Sequence, residues 1–415
     1  MAEEKKNKCN ILIVAVGGAG GNAANNMIAN GLNDKVEVLV ANTDAQALDN
    51  SLCKNQILLG AKSVTRGLGA GSDPLVGLRA AEESLEDFLK HLDGVDMVFF
   101  TAGMGGGTGT GATNVLAQAA KEMGKLVVAV VTTPFSFEGE LRKKSAEKGI
   151  EELKANTDTL IIIPNQNLFK LAGINTTFKE AFKKSDQVLY QTVKGITELI
   201  TKPGLINLDF ADVRSVMKDK GYAKVGFGNN IKNIENNQGP KEFIGVEEMI
   251  NIAMNHPLLS DNLDPNSAKA IMLHITVGNS LTLEEVDVIA RKVNNQIKNK
   301  EVHFLFGATF DDNMDERAIE IFVLTTGLTV LDESQKPINE IMSKSDLNDS
   351  FTSTNTNDEE NLTITKSEIF EVEEKIIEKQ RSWFSRFWKK SETKEKKTKK
   401  SSEDDSFFSD FSDED

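Results

Sequence analysis

From Cys9 to about Thr133, apolar runs of strand length (Ile11 to Val16, Val36 to Asn42, Met97 to Ala102, Leu126 to Thr132) alternate with stretches of helical spacing (Asn22 to Asn30, Pro74 to Leu92, Thr113 to Met123). Alternation of this kind predicts an α/β fold, a Rossmann-like parallel sheet covered by helices on both faces. Leu160 to Pro164 adds a further strand. Phe178, Phe182, Leu189, Val193, Ile196 and Ile200 follow a helical rhythm behind Thr177-Phe178-Lys179-Glu180, which has the form of a capping box; one long helix is expected, ending near Pro203-Gly204. After glycine- and asparagine-rich turns from Gly226 to Gly239 come a helix at Val246 to Met254, a strand at Ala270 to Val277, a helix at Leu283 to Ile297 and strands at Val302 to Thr309 and Ala318 to Thr325. These predict a second, smaller α/β domain.

Beyond about Leu331 the pattern degrades into Ser, Asn, Thr, Asp, Glu and Lys, with too little apolar surface to offset the entropy of ordering. A disordered linker is expected over 329–368. The tail, 369–415, regains pattern: Ile369, Val372, Ile376, Trp383 and Phe387 form a helical stripe broadened by Ile377, Phe384 and Trp388 and flanked by Arg381, Arg386, Lys389 and Lys390. Aromatic residues beside lysines and arginines suit a helix lying in a membrane interface, and equally a helix docking on a protein partner or a polymer. Lys389 to Lys400 is lysine-rich, and Glu403 to Asp415 is acidic with Phe407, Phe408 and Phe411 interleaved.

Charge and composition narrow the choices. A formal net charge of -15 argues against nucleic acid as a main partner, because phosphate binding needs a basic face. Two cysteines, Cys9 and Cys53, and an N-terminus without an apolar signal core predict a cytoplasmic protein with no disulfide framework. The longest apolar runs fall far short of the about 20 residues a membrane helix needs. His91, His256, His274 and His303 are scattered without the spaced partners of a zinc site.

Two glycine segments carry the chemistry. Gly17-Gly18-Ala19-Gly20-Gly21-Asn22-Ala23 follows the first strand and runs into a helix, where backbone N–H groups can approach phosphate oxygens. Read as Gly18-x-Gly20-x-x-Ala23 it also satisfies the dinucleotide fingerprint, with Asp44 placed for a ribose, so an NAD-linked oxidoreductase stays open. Gly103 to Gly111 again lies between a strand and a helix and holds six glycines and two threonines. A second cradle on one sheet, with the Thr108 and Thr110 hydroxyls as further donors, favours a nucleoside triphosphate. Gly60-Ala61-Lys62-Ser63 has the wrong spacing for a P-loop.

The run Gly105-Gly106-Gly107-Thr108-Gly109-Thr110-Gly111 after a strand resembles the signature loop of the tubulin/FtsZ family of GTPases. Gly17 to Asn22, Asn42 to Leu48, Gly67 to Gly71, Pro134 to Arg142 and Asn207 to Val213 resemble family segments too, six motifs in the family's order across about Cys9 to Gly327. The resemblance implies a GTP-binding domain over 10–177 behind an N-terminal tail of 1–9, a central helix over 178–203, and a second domain over 204–328 that opens with an activating loop. It implies GTP and GDP as ligands, with Mg2+ on the phosphates. It also implies head-to-tail homopolymers that form the division ring; the tail's own residues are the expected link to division proteins or to membrane. Family members usually end in a short, proline-bearing, partly apolar peptide, and no good copy occurs here.

For single residues the resemblance implies nucleotide contacts at Gly18, Ala19, Gly20, Gly21, Asn22, Gly105, Gly106, Gly107, Thr108, Gly109, Glu138, Arg142, Asn165, Phe182 and Asp186. Asp186 would accept two adjacent donors of guanine, with Phe182 stacked on the base; from the residues alone it also reads as an ordinary helix surface carboxylate. Glu138 and Arg142 read alone as an i,i+4 ion pair. Asn207, Asp209 and Asp212 are the implied catalytic residues, inserted into the next subunit's site, whereas by spacing alone the two aspartates cap a helix. A nucleotide-binding scaffold without turnover is the remaining alternative.

Overall fold

A computed structural model describes residues 9–331 apart from 33–35, 171–176, 203, 205, 207, 232–242, 257–261, 279, 281, 298 and 300. The tail helix expected at 369–390, most of the linker and Asn207 therefore lie outside the described residues. In chain order the elements are β1 (Ile11–Val16), α1 (Gly17–Ala29), β2 (Val36–Asn42), α2 (Ala45–Asp49), β3 (Asn55–Leu58), α3 (Pro74–Glu83), α4 (Leu85–Lys90), β4 (Met97–Gly103), α5 (Gly107–Glu122), β5 (Leu126–Thr133), α6 (Glu140–Ala155), β6 (Thr159–Pro164), α7 (Phe178–Thr201), α8 (Phe210–Met217), β7 (Gly221–Asn229), α9 (Val246–Met254), β8 (Leu263–Asp264), β9 (Ala270–Val277), α10 (Leu283–Asn295), β10 (His303–Phe310) and β11 (Ile319–Val330).

The strands join in the order β10-β9-β11-β7-β6-β5-β4-β1-β2-β3, with β8 beside β11. Pairing from β3 through to β7 is parallel, while β11 runs antiparallel to β7 and β9. Every residue of β1 is buried, as are the first seven of β5, which is what a parallel sheet covered on both faces demands. The sheet narrows at one place: β6 meets β7 only at Thr159, Leu160 and Ile161, whereas β7 pairs with β11 along nearly its whole length. One core cluster runs from β1, β4 and β5 across α7 and α8 to Phe322 and Leu324 of β11. Another fills the space between β9, β11, α9 and α10.

α7 starts at the expected capping box: the Thr177 hydroxyl accepts from Glu180 N at 3.3 Å, and a Glu180 carboxylate oxygen accepts from Thr177 N at 2.8 Å. Its apolar stripe, including Leu189, Val193 and Ile196, is buried in the larger core. Several boundaries differ from the sequence pattern. Helix α1 begins at Gly17 and α5 at Gly107, so most of both glycine segments is helix rather than loop. The stretch Pro74 to Leu92 breaks at Ser84 into α3 and α4. The most instructive departure is β7, whose glycines read as turn signals. A Cβ at Gly228 would fall 2.6 Å from Met249 O, and one at Gly226 would collide with Ala253 O, so these glycines let α9 lie against the strand.

Candidate functional site

Register brings the two glycine segments together. β1 and β4 pair from Ile11 opposite Met97 to Val16 opposite Ala102, so both end at the same level, and α1 and α5 start side by side there. Strand β1 has β2 on one side and β4 on the other, the topological switch point where open α/β sheets bind ligands. Neither helix has a side-chain cap or an acidic residue in its first turn. The first N–H groups of a helix have no intrahelical acceptor and carry partial positive charge, so two uncapped N-termini form a strong anion-binding corner.

A cavity of about 260 Å³ opens at this corner. Of the expected contacts, Gly18, Ala19, Gly106, Gly107, Thr108, Gly109, Glu138, Arg142, Asn165 and Phe182 line it. Gly18 is exposed with open space where a Cβ would stand, which fits close approach of a ligand to the backbone. Thr108 and the buried Thr43 share a hydrogen bond between their hydroxyls at 2.6 Å. Arg142 pairs with Glu138 at 2.8 Å, and Glu138 also accepts from Phe135 N at 2.8 Å, so the i,i+4 pair both exists and faces the cavity. The guanidinium is half exposed and lies beside Gly106, placed to meet an anion. Asn165 is held by the Ser185 hydroxyl donating to its Oδ1 at 2.8 Å. Phe182 meets the ring of Phe135 edge-on, with centroids 5.2 Å apart.

Gly20, Gly21, Asn22, Gly105 and Asp186 do not line the cavity. Gly20 permits helix–sheet packing, because a Cβ there would lie 2.6 Å from Thr101 O. The Thr110 hydroxyl accepts from Gly105 N at 2.8 Å, which braces the loop from within, and Thr110 is buried outside the cavity lining. Asp44, placed by sequence for a ribose, accepts from Gln46 N at 2.9 Å as the cap of α2 and also stays out of the lining. Asp209 and Asp212 do form the capping box that spacing predicts, with Asp212 N donating to Asp209 at 2.8 Å and Asp209 N to Asp212 at 3.1 Å. They stand at the start of α8, outside the cavity lining.

Val16, Ser72, Gly103, Met104, Thr132, Thr133 and Pro134 line the cavity without having been expected as contacts. Thr132 to Pro134 lie where parallel β5 ends, and that strand end was a readable signal. Ser72 has φ +64°, an uncommon conformation for a residue other than glycine, of the kind that clusters at functional sites. Among the described residues no group of three His, Cys, Asp or Glu gathers to hold a metal ion.

Residues 10–173 match the Tubulin/FtsZ family, GTPase domain, and residues 221–329 match the FtsZ family, C-terminal domain. A Wolbachia cell division protein FtsZ is 47% identical over 330 residues, covering 77% of this chain and 79% of that one. The chain belongs to the tubulin/FtsZ family. Relatives named cell division protein FtsZ from Magnetospirillum gryphiswaldense and Caulobacter vibrioides are each 48% identical, and the chain spans 54% and 60% of their lengths. In three dimensions it resembles an FtsZ dimer structure from M. jannaschii, with a TM-score of 0.69 and 38% identity over 80% of this chain and 95% of that chain. The matched GTPase segment contains every cavity-lining residue except Phe182 on α7.

Asp186 follows Phe182 by one turn of α7 and is mostly buried, and burial pushes its carboxyl from about 3.8 up to about 6. The folded state therefore holds its proton more tightly than the unfolded chain, so this residue's contribution to stability is full below about pH 4 and is lost as pH rises through 6. Asp186→Asn is expected to raise the thermal midpoint of the ligand-free protein at pH 7, with the gain vanishing toward pH 4. Unfolding scans across that range check it, and a variant less stable than the parent at pH 7 contradicts it.

Proposed function

We propose that the chain binds GTP in this cavity and hydrolyses it when a second copy, stacked head to tail, presents the start of its α8 to the bound phosphates. On this reading 10–177 is the nucleotide domain, 178–203 the central helix and 204–328 the domain that delivers the acidic pair. The observation that carries the reading is a separation: the anion-binding corner is complete within one chain, while Asp209 and Asp212 lie outside its lining. The capping box uses one oxygen of each carboxylate and leaves the other available. Phosphoryl transfer to water needs positioning, charge neutralisation and a group to orient the water, and a carboxylate pair suits that last task.

Exposed apolar side chains support a partner at both ends. Leu68 and Leu141, 83% and 87% exposed, flank segments that line the cavity, and Ile206, 48% exposed, precedes α8 in the chain. Within the cavity, Gly18, Gly106 to Gly109 and Arg142 would hold the phosphates, and Asn165, Phe182 and the neighbouring Asp186 would hold the base. Magnesium would neutralise phosphate charge. A carboxylate accepts from the adjacent N1–H and exocyclic amine of guanine, whereas adenine presents a lone acceptor at N1, which is the basis for choosing GTP over ATP.

Family kinship and the relatives' names support a role in cell division, in filaments at the division site. For the tail, the aromatic and basic stripe supports reversible attachment of residues 369–400 to anionic membrane. Flotation of the full chain with anionic liposomes, lost on truncation at residue 368, is the expected result; equal flotation of the truncated chain contradicts it. For the shared site, Asp212→Ala is expected to bind GTP as the parent does while hydrolysis falls about 100-fold or more. Phosphate release with GTP, ATP or NAD offered in parallel, alongside light scattering, checks this. Undiminished turnover in the variant removes the shared site, and assembly without phosphate release in the parent favours the scaffold alternative.

A further inference from the structure

The eight-residue helix α8 carries the acidic pair at one end, and its other end is held in an unusual way. The last carbonyls of a helix have no intrahelical donor. Two of them here are answered by buried hydroxyls from different strands: Thr159 of β6 donates to Met217 O at 2.5 Å, and Thr326 of β11 donates to Val216 O at 2.6 Å. Thr159 is 0% exposed and Thr326 is 1% exposed. The turn after α8 is tied down as well, since the carbonyl of Asp158 accepts from Lys220 N and Gly221 N, each at 2.9 Å. Val213, Val216 and Met217 bury one face of the helix in the core, while Asp209 at its far end is exposed.

We infer that Thr159 and Thr326 are positioning residues for hydrolysis, a two-sided clamp that fixes the direction in which α8 points its acidic pair. This rests on the reading that Asp209 and Asp212 act on a neighbour's nucleotide. β6 and β11 lie on either side of β7, across the narrow part of the sheet, so the clamp sets α8 against both halves of the fold at once. An eight-residue helix is about 12 Å long, so a tilt of about 5° at the clamped end moves the carboxylates by about 1 Å. A misplacement of that size can cost about 100-fold in rate. Neither threonine lines the nucleotide cavity, so the clamp acts on turnover and leaves binding alone.

The test uses the full chain with Thr159→Val and Thr326→Val, which keep the side chain's shape and delete the donor, beside Thr159→Ser and Thr326→Ser, which keep the donor. GTP binding below the assembly threshold, light scattering, kcat and KM are measured for each. Valine variants are expected to bind and assemble within about twofold of the parent, with kcat down about 10- to 100-fold and KM little changed, and serine variants are expected to retain kcat. Mixing Thr159→Val with Gly18→Trp, whose own cavity is filled but whose α8 is intact, should restore hydrolysis of the GTP held by the valine subunits. Full kcat in both valine variants while Asp212→Ala is inactive overturns the clamp alone. A folded serine variant with lowered kcat overturns it too, and decides the matter where a valine variant does not fold. Undiminished turnover in Asp212→Ala instead removes the shared-site reading, and the clamp with it.

Discussion

Two helix N-termini without caps meet at the carboxyl ends of β1 and β4, and the site is organised around that unmet demand for negative charge. A helix start ordinarily finds a Ser, Thr, Asp or Asn side chain for its free N–H groups. Here α1 and α5 have none, and a glycine-rich sequence leaves their backbones open to an outside acceptor. Parallel pairing of β1 with β4 makes the two demands coincide in space. Long α7 then lines the corner with Phe182, while the turn before α6 contributes Glu138 and the first turn of α6 contributes Arg142.

On the proposed reading binding and turnover divide between two places, and the same arrangement supplies the reason. Phosphate cradling needs backbone donors, and α1 and α5 present theirs side by side at the carboxyl ends of β1 and β4 within one chain. A carboxylate pair in that corner would compete with phosphate for the same donors. Removing Asp209 and Asp212 to the head of α8 leaves the corner positive, and each aspartate meanwhile serves as helix cap for the other. The clamp at the far end of α8 follows the same economy, with orphan carbonyls answered by threonines that also fix the helix in place.

Much of this was legible in the chain. The capping boxes at Thr177 and Asp209, the buried strands β1, β4 and β5, and the pairing of Glu138 with Arg142 all follow from spacing, because each depends on residues at most a few positions apart. What stayed hidden depends on distant neighbours. Gly226 and Gly228 read as turns until α9 is seen resting on them, and the close packing of Gly20 on Thr101 shows only once the sheet is in place. Thr110 looks from its spacing like a loop-surface hydroxyl, yet it is buried and accepts from Gly105 N inside the loop. Thr159 and Thr326, far apart in sequence, carry no local signal at all, and only the fold sets both against α8.

Specific GTPase activity measured against protein concentration tests the central claim most directly. If the hydrolytic site is completed by a neighbour, phosphate release per subunit is near zero at high dilution and rises steeply once light scattering shows assembly. Activity per subunit that stays flat through dilution below that threshold would mean that each chain holds a complete site, and would contradict the account.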